Sequence, residues 1–234
     1  MVSIPSYTIA PLGDTAIRID FGNKIDQAVH CRIMALYDHL KAFPFKGTTD
    51  LIPAYSSLTV CYEPAAYLQE LNAQQSIAEL LTRQLTEIAE TTGVIHTVNP
   101  RLIKLPVCYE GKFAPDLSTM AATTGKTEQT IINLHTETIY QVYMLGFLPG
   151  FAYMGEVDDV IAMPRKSRPV PIAAGSVGIA GKQTGVYPLA SPGGWNIVGR
   201  TPLSLFNRET GGTLFQPGDH VQFYSISSDE FERY

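Results

Sequence analysis

The sequence predicts an α+β protein in which a small α/β domain precedes a domain of short β-strands. In the first part of the chain, strand patterns alternate with two amphipathic helices, an arrangement typical of a small α/β sandwich. In the second part, 13 of the 19 glycines and eight prolines lie within residues 146–218 and separate short apolar runs. This composition predicts a β-barrel or a β-sandwich with many turns. We expect the domains at 1–95 and 96–234, with the boundary near 93–100.

Two helices carry the clearest patterns of the first domain. Apolar residues recur on one helical face from Val29 to Phe43, and Pro44 is expected to end that helix. The second helix is expected to begin at Ser76, because Glu79 three residues later completes a capping box. The remaining predictions for this domain are strands at 16–21 and 57–62 and a helix cap at Gly93.

The second domain is expected to open with a strand at 101–109, followed by two short helices on either side of Gly125. The predicted helices are 117–124 and 127–135, and the later strand candidates are 179–180, 186–190, 197–198, 203–206 and 221–226.

Composition and charge exclude several classes of protein. With 45% hydrophobic and 17% charged residues the chain can bury a sizeable core, which argues against disorder. The net charge of −5 argues against general nucleic-acid binding, which requires a basic surface. No apolar stretch approaches the roughly 20 residues that cross a bilayer, and the N-terminus has no secretory pattern, so we expect a cytoplasmic protein with no membrane partner. The cysteines, at 31, 61 and 108, form no C-x-x-C pair and are expected to be reduced thiols.

The strongest chemical signal is a gap in the acidic residues. The segment 160–208 contains no Asp or Glu, although acids outnumber bases in the whole chain. Six cations lie in this segment, namely Arg165, Lys166, Arg168, Lys182, Arg200 and Arg208. Such segregation predicts a positive potential that attracts a carboxylate or a phosphate. The alternative is that these cations pair with acids from elsewhere in the chain.

Two glycine-rich stretches, 175–185 and 192–196, indicate backbone that turns with positive φ or closely approaches another group. Exposed amides in such stretches can bind an anion. The first stretch is not a nucleotide-binding phosphate loop, because five residues separate Gly175 from Gly181 and Lys182 is followed by Gln183. The alternative for both stretches is a set of tight barrel turns without a ligand.

Single residues give weaker indications. Trp195 stands in a glycine loop, where it can form the wall of a pocket or close the end of a barrel. His135 lies at the end of a predicted helix and is either a structural histidine or a site residue. The other histidines show no metal-ligand spacing, so no metal site is predicted, and no motif identifies catalytic residues.

Five ordered segments of the second domain carry a resemblance to a known family. They are GFLPGFAYMG at 146–155, MPRKSRPVP at 163–171, AGSVGIAGKQTGVYP at 174–188, SPGGWNIVGRTP at 191–202 and QPGDH at 216–220. On these segments the chain resembles the allophanate hydrolase subunit 1 family, also described as the B subunit of bacterial 5-oxoprolinase, from about residue 13 to residue 223. That family includes the Kip-type inhibitor of a sporulation histidine kinase. The chain is also similar to the C and D subdomains of the carboxyltransferase region of urea carboxylase.

The resemblance implies a small α/β domain followed by a cyclophilin-like β-barrel. It also implies ATP-dependent opening of the lactam of 5-oxoproline to L-glutamate, shared with homologues of the A and C subunits of 5-oxoprolinase. ATP would then be a cofactor of the complex, and the chain alone would be inactive. Two alternatives stay open, namely an inhibitor that docks on a histidine kinase and a carboxyltransferase-like component of urea or allophanate metabolism.

The acid-free segment, the glycine loops and the family segments coincide, and together they predict a binding site for a small anionic substrate. Arg200 is the favoured residue, because Gly199 and Thr201 flank it and leave backbone amides accessible. The predicted substrate-binding residues are Arg165, Arg168, Lys182, Gln183, Tyr187, Trp195, Arg200, Thr201 and His135.

Overall fold

The computed structural model describes residues 6–23, 25–69, 75–92 and 100–234. The chain divides into two compact units, and the division falls between residues 98 and 99. The predicted helix cap at Gly93 and nearly all of the predicted boundary at 93–100 lie outside the described residues, so both stay predictions. No helix in the described part of the chain is long and apolar enough to cross a membrane.

The first unit is a four-stranded antiparallel sheet with two helices. Its elements are β1 (Thr8–Pro11), β2 (Ala16–Asp20), α1 (Gln27–Ala42), β3 (Thr48–Pro53), β4 (Ser57–Tyr62), a 3₁₀ turn (Pro64–Tyr67) and α2 (Ile77–Thr91). The strand order is β1-β2-β4-β3, with α1 packed against β3 and β4 and α2 packed against β1 and β2. In β4 the alternating residues Leu58, Val60 and Tyr62 are buried, so the period-2 pattern directs that face of the sheet into the core.

Both predicted helices of this unit are confirmed, and their ends follow local chemistry. The Ser76 hydroxyl accepts a hydrogen bond from the Glu79 amide at 3.2 Å, and the Glu79 carboxylate accepts one from the Ser76 amide at 2.9 Å. The first helix ends at Ala42, two residues before Pro44. The buried Arg32 of α1 then joins the two helices, because its guanidinium donates to the carbonyls of Ala89 and Thr92 at the end of α2.

The second unit contains the remaining elements. They are β5 (Leu102–Cys108), a 3₁₀ turn (Gly111–Phe113), α3 (Leu117–Thr124), α4 (Glu128–Glu137), β6 (Ile139–Leu145), β7 (Ala152–Gly155), β8 (Val170–Ile172), β9 (Ser176–Ala180), β10 (Gln183–Val186), β11 (Ser191–Gly193), β12 (Asn196–Arg200), β13 (His220–Ile226) and α5 (Ser228–Phe231). Seven strands close a barrel in the order β10-β7-β6-β13-β5-β12-β9, and β8 pairs separately with β11. Within the barrel β13 and β5 are parallel, and the other neighbours are antiparallel.

The closed barrel confirms the predicted α+β class and decides between the barrel and the sandwich. Two strand predictions differ from the structure. The predicted strand at 203–206 is a loop in which only Phe206 makes an isolated bridge, to Thr213. Leu205 in that loop is buried, so the apolar run reflects packing of a loop and not strand pairing. The strand predicted at 186–190 ends at Val186.

Candidate functional site

Five rings form an aromatic cluster that is separate from the main barrel core. The cluster consists of Phe147, Phe151, Tyr153, Tyr187 and Trp195. Phe151 is its centre, with ring centroids 4.8 Å from Tyr153, 5.0 Å from Tyr187 and 5.4 Å from Trp195, all edge to face. The rings at 151, 187 and 195 are buried. This arrangement places the predicted residues Tyr187 and Trp195 side by side in one rigid group.

Arg165 lies on this cluster. Its guanidinium carbon is 5.9 Å from the centre of the Trp195 ring, within the range of a cation–π contact. Burial raises the pKa of Tyr153 and of Tyr187, and the charge of Arg165 opposes both shifts. Arg165 is exposed and makes no hydrogen bond to another described residue. Its planar set of donors is therefore available to an anion from solution.

Two lysines of the acid-free segment have acidic partners outside it. Lys166 lies 2.6 Å from a carboxylate oxygen of Asp116, and that oxygen also accepts from the Ile197 amide at 2.6 Å. Lys182 lies 2.5 Å from a carboxylate oxygen of Asp159, and this hydrogen bond raises the pKa of Lys182. Acids from elsewhere in the chain therefore offset two of the six cations, as the alternative interpretation expects.

Arg200 and Thr201 belong to a different set of contacts. The Nε of Arg200 donates to the carbonyl of Ala174 at 2.8 Å, and its guanidinium carbon lies 5.9 Å from the centre of the Phe231 ring. Thr201 is buried, and its amide donates to the carbonyl of Gly175 at 2.9 Å. Both residues stabilise the turn before β9, so the contacts described for them are internal to the protein.

Asp219, a buried acid of the second unit, pairs with Arg101 and not with a cation of the acid-free segment. Its carboxylate accepts from Nε of Arg101 at 3.0 Å and from Nη2 at 2.6 Å, and it also accepts from the Gln216 amide at 2.7 Å. Arg168 is exposed and precedes β8, and Gln183 is the half-buried first residue of β10. The structure thus joins Arg165, Tyr187 and Trp195 in one place and distributes the other predicted residues among separate contacts.

His135 is fully buried inside the second unit. Its Nδ1 lies 2.8 Å from the Tyr109 hydroxyl, its Nε2 lies 2.9 Å from the Thr184 hydroxyl, and its ring stacks on Phe223 at 4.5 Å. Burial lowers the pKa of His135 to about 3. Both ring nitrogens have protein partners, so this geometry supports the structural interpretation of the histidine.

The glycine-rich stretch 175–185 is a β-hairpin, in which β9 and β10 are joined by a turn at Gly181. A phosphate loop instead connects a strand to the N-terminus of a helix, whose amides bind the phosphates. Lys182, which would contact the phosphates, pairs with Asp159. The residues of this hairpin therefore do not fit a nucleotide-binding loop. Among the described residues there is also no group of three or more His, Cys, Asp or Glu side chains that could hold a metal ion.

Sequence reasoning missed three members of the aromatic cluster, Phe147, Phe151 and Tyr153. The signal that could have identified them is the aromatic and glycine content of the segment 146–155.

Two surface depressions, of about 690 Å³ along residues 204–214 and about 590 Å³ at Lys104, Thr136 and residues 222–225, contain none of the predicted site residues. The candidate site is the surface of the aromatic cluster, where Arg165 is the exposed cation.

Comparison with known proteins relates the chain to one family. Residues 7–214 match the carboxyltransferase domain, subdomains C and D. The B subunit of 5-oxoprolinase from Bacillus subtilis is 43% identical over an alignment of 235 positions, which covers 97% of this chain and 96% of that protein. The B subunit of 5-oxoprolinase from Escherichia coli O157:H7 is 36% identical, over 91% of this chain and 93% of that protein. The crystal structure of TTHA0988 superposes with a TM-score of 0.74 at 33% identity; the match covers 91% of this chain but only 40% of that longer chain.

Proposed function

The chain belongs to the family of carboxyltransferase subdomains C and D, and on that premise we propose that it is the B subunit of an ATP-dependent 5-oxoprolinase. The observation that carries this proposal is the 43% identity to the B subunit of a 5-oxoprolinase over 97% of this chain. In the proposed reaction, a complex with homologues of the A and C subunits opens the lactam of 5-oxoproline to L-glutamate. Amide resonance stabilises the lactam, so coupling its opening to ATP is chemically reasonable.

ATP is proposed as a cofactor of the complex and not of the 175–185 hairpin. That stretch forms two paired strands and offers no helix N-terminus to a phosphate, and Lys182 is paired with Asp159. No step through ATP is therefore assigned to the residues of this hairpin.

The part that we propose for this chain is to bind the carboxylate of 5-oxoproline through Arg165. A guanidinium presents paired N–H donors in one plane, which match the two oxygens of a carboxylate. The guanidinium carbon of Arg165 lies 5.9 Å from the centre of the Trp195 ring, and this contact holds it in place. The sequence segment 160–208 around Arg165 contains no acid that would compete with the substrate. The buried ring of Tyr187 supports the aromatic cluster on which Arg165 lies. A carboxylate bound there is held by a cation whose position is set before the substrate arrives.

Co-expression of the chain with homologues of the A and C subunits tests the proposal. We expect the purified complex to release glutamate and phosphate from 5-oxoproline and ATP, and the purified chain alone to be inactive. We also expect the chain to co-elute with the homologue of the C subunit in size-exclusion chromatography. Turnover by the isolated chain would contradict the shared activity, and full activity of the A and C subunits without this chain would contradict its role.

The same experiment separates the proposal from the two alternatives. A kinase inhibitor would lower the autophosphorylation of a histidine kinase and would leave 5-oxoproline turnover unchanged. A carboxyltransferase component would require carboxybiotin as the carboxyl donor together with an acceptor for any activity of its complex. Loss of 5-oxoproline turnover on omission of the chain is expected from the proposed role in 5-oxoprolinase and from neither alternative.

A further inference from the structure

Phe147 has an unusual backbone conformation. Among the described residues it is the one non-glycine residue with positive φ, at 69°. A bulky side chain in this region costs about 1–3 kcal/mol, and such residues concentrate at functional sites. The side chain is also 62% exposed, so burial of the ring contributes little to offset that cost.

Backbone hydrogen bonds nevertheless fix the loop around Phe147. The Gly146 amide donates to the carbonyl of Phe151 at 3.1 Å, and the Phe151 amide donates to the carbonyl of Leu148 at 3.0 Å. Glycine at position 150, with φ of 83°, completes the return of the chain. These bonds hold the ring of Phe147 in one place on the protein surface.

That place is the rim of the aromatic cluster. The Phe147 ring stands edge to face with Phe151 at 5.8 Å and with Tyr187 at 6.4 Å. Arg165 lies 5.9 Å from the centre of the Trp195 ring, and both Trp195 and Phe147 stand edge to face with Phe151, at 5.4 Å and 5.8 Å. An exposed apolar ring and an exposed guanidinium thus border the same buried aromatic group.

We propose that Phe147 is a specificity-determining residue, whose ring forms the apolar wall of the site in which Arg165 binds the substrate carboxylate. The inference rests on the proposed function and deepens it by assigning to one residue the selection of a carboxylate that carries an uncharged ring. The ring of a lactam is largely apolar with one flat amide, and such a surface packs on an aromatic side chain. A bare anion of similar charge gains nothing from this wall, so Phe147 favours ring carboxylates over small inorganic or acyclic anions.

Steady-state kinetics of the assembled complex test the proposal. Phe147→Ala keeps a Cβ and hence the backbone cost, but it removes the ring. We expect the KM for 5-oxoproline to rise about tenfold, the loss typical of one missing hydrophobic contact, with kcat nearly unchanged. The melting temperature should stay close to that of the wild type, because the ring is exposed. Phe147→Leu, which keeps an apolar group, should recover part of the affinity.

The matched control is Phe43→Ala. Phe43 is 70% exposed and has an ordinary φ of −132°, and it lies in the other unit. This variant should leave KM unchanged. A second readout is inhibition by cyclopentanecarboxylate and by acetate, which share the carboxylate and differ in the ring. Wild-type complex should prefer cyclopentanecarboxylate, and Phe147→Ala should lose that preference.

Each other outcome overturns the inference. An unchanged KM in a stable Phe147→Ala complex would show that the ring does not select substrate. A wild-type complex that does not prefer the ring carboxylate would show the same. So would a fall in both melting temperature and activity in the two Phe147 variants, because the ring would then be structural. A complex that is active with an unaltered KM in Phe147→Ala removes only this inference. A wild-type complex without 5-oxoproline turnover removes the proposed function, and the inference with it.

Discussion

The Nε2 of His135 lies 2.9 Å from the hydroxyl oxygen of Thr184, and this contact determines where the imidazole carries its proton. The Thr184 hydroxyl donates its own proton to the carbonyl of Gly178 at 3.1 Å, so it accepts from Nε2. On the other side of the ring, Nδ1 then accepts from the Tyr109 hydroxyl at 2.8 Å. The chain of donors assigns a neutral imidazole that is protonated on Nε2 and accepts the Tyr109 proton on Nδ1.

We expect this buried histidine to make the stability of the protein fall in mild acid. Burial lowers the pKa of His135 to about 3 in the folded state, whereas the group in an unfolded chain titrates near 6.5. Between these values the unfolded state binds more protons, so the stabilising contribution is fully present above about pH 6.5 and is lost as the pH falls toward about 3. The free energy of unfolding in urea should decrease by about 1.4 kcal/mol per pH unit in this window from His135 alone.

The His135→Gln variant isolates that contribution. A glutamine amide can accept from Tyr109 and donate to Thr184, but it does not titrate, so the difference in stability between wild type and variant should shrink as the pH falls. Gln129→Ala, at an exposed residue of α4 whose side chain does not titrate, is the control and should keep the wild-type slope. A difference between wild type and His135→Gln that is independent of pH would show that the imidazole is not neutral throughout the window.

Local features of the fold could be predicted from the sequence, whereas long-range contacts could not. The capping box of Ser76 and Glu79 was predictable because its partners are three residues apart. The partners of His135 lie 26 and 49 residues away, at Tyr109 and Thr184, and only the closure of the barrel brings them together. The sequence predicts the end of α4 closely, because that end depends on local residues, but it leaves the burial of His135 open, because that burial depends on distant strands.

The candidate site shows the same division. The acid-free segment indicated Arg165, and the glycine loop indicated Trp195, but their contact depends on the fold between them. The sequence does not show the pairing of Lys182 with Asp159, because the two residues are far apart along the chain and only the fold brings them together. A segment without acids therefore overestimates the positive charge of the surface that it forms wherever the fold brings acids from outside the segment to that surface.

Two glycines of the 175–185 hairpin should differ strongly in their tolerance of alanine. Gly175 and Gly181 both have positive φ, at 82° and 58°, which costs any residue with a Cβ about 1–2 kcal/mol. A Cβ at Gly181 would meet open space, but a Cβ at Gly175 would collide with the carbonyl oxygen of Thr201. Urea unfolding should therefore show a loss of about 1–2 kcal/mol for Gly181→Ala and of more than about 4 kcal/mol for Gly175→Ala. Equal losses would show that the turn at Thr201 moves aside without cost.

Arg200→Ala should reduce stability more than it reduces the intrinsic activity of the complex. The change removes the charged hydrogen bond to the carbonyl of Ala174 and the contact with the Phe231 ring, which together are worth about 1–3 kcal/mol. A clear fall in melting temperature is expected, with kcat and KM of the remaining folded complex close to wild type. Arg208→Ala, at an exposed arginine of the same segment, is the control and should change stability by under about 0.5 kcal/mol. A tenfold loss of activity in Arg200→Ala without a change in melting temperature would instead support the substrate-binding role that the sequence favoured.

Arg165→Ala should show the opposite pattern. Arg165 is exposed and contacts the face of Trp195, so its loss should leave the melting temperature nearly unchanged. Removal of a guanidinium that pairs with a bound carboxylate costs about 2–5 kcal/mol, which corresponds to a fall in kcat/KM of about 30-fold or more in the assembled complex. Arg165→Lys should recover only part of this loss, because an ammonium cannot donate two parallel hydrogen bonds to one carboxylate. Arg208→Ala should keep wild-type kinetics, which would show that the effect is specific to position 165 and does not follow from net charge alone. Wild-type kcat/KM in a stable Arg165→Ala complex would place the substrate carboxylate elsewhere in the assembly.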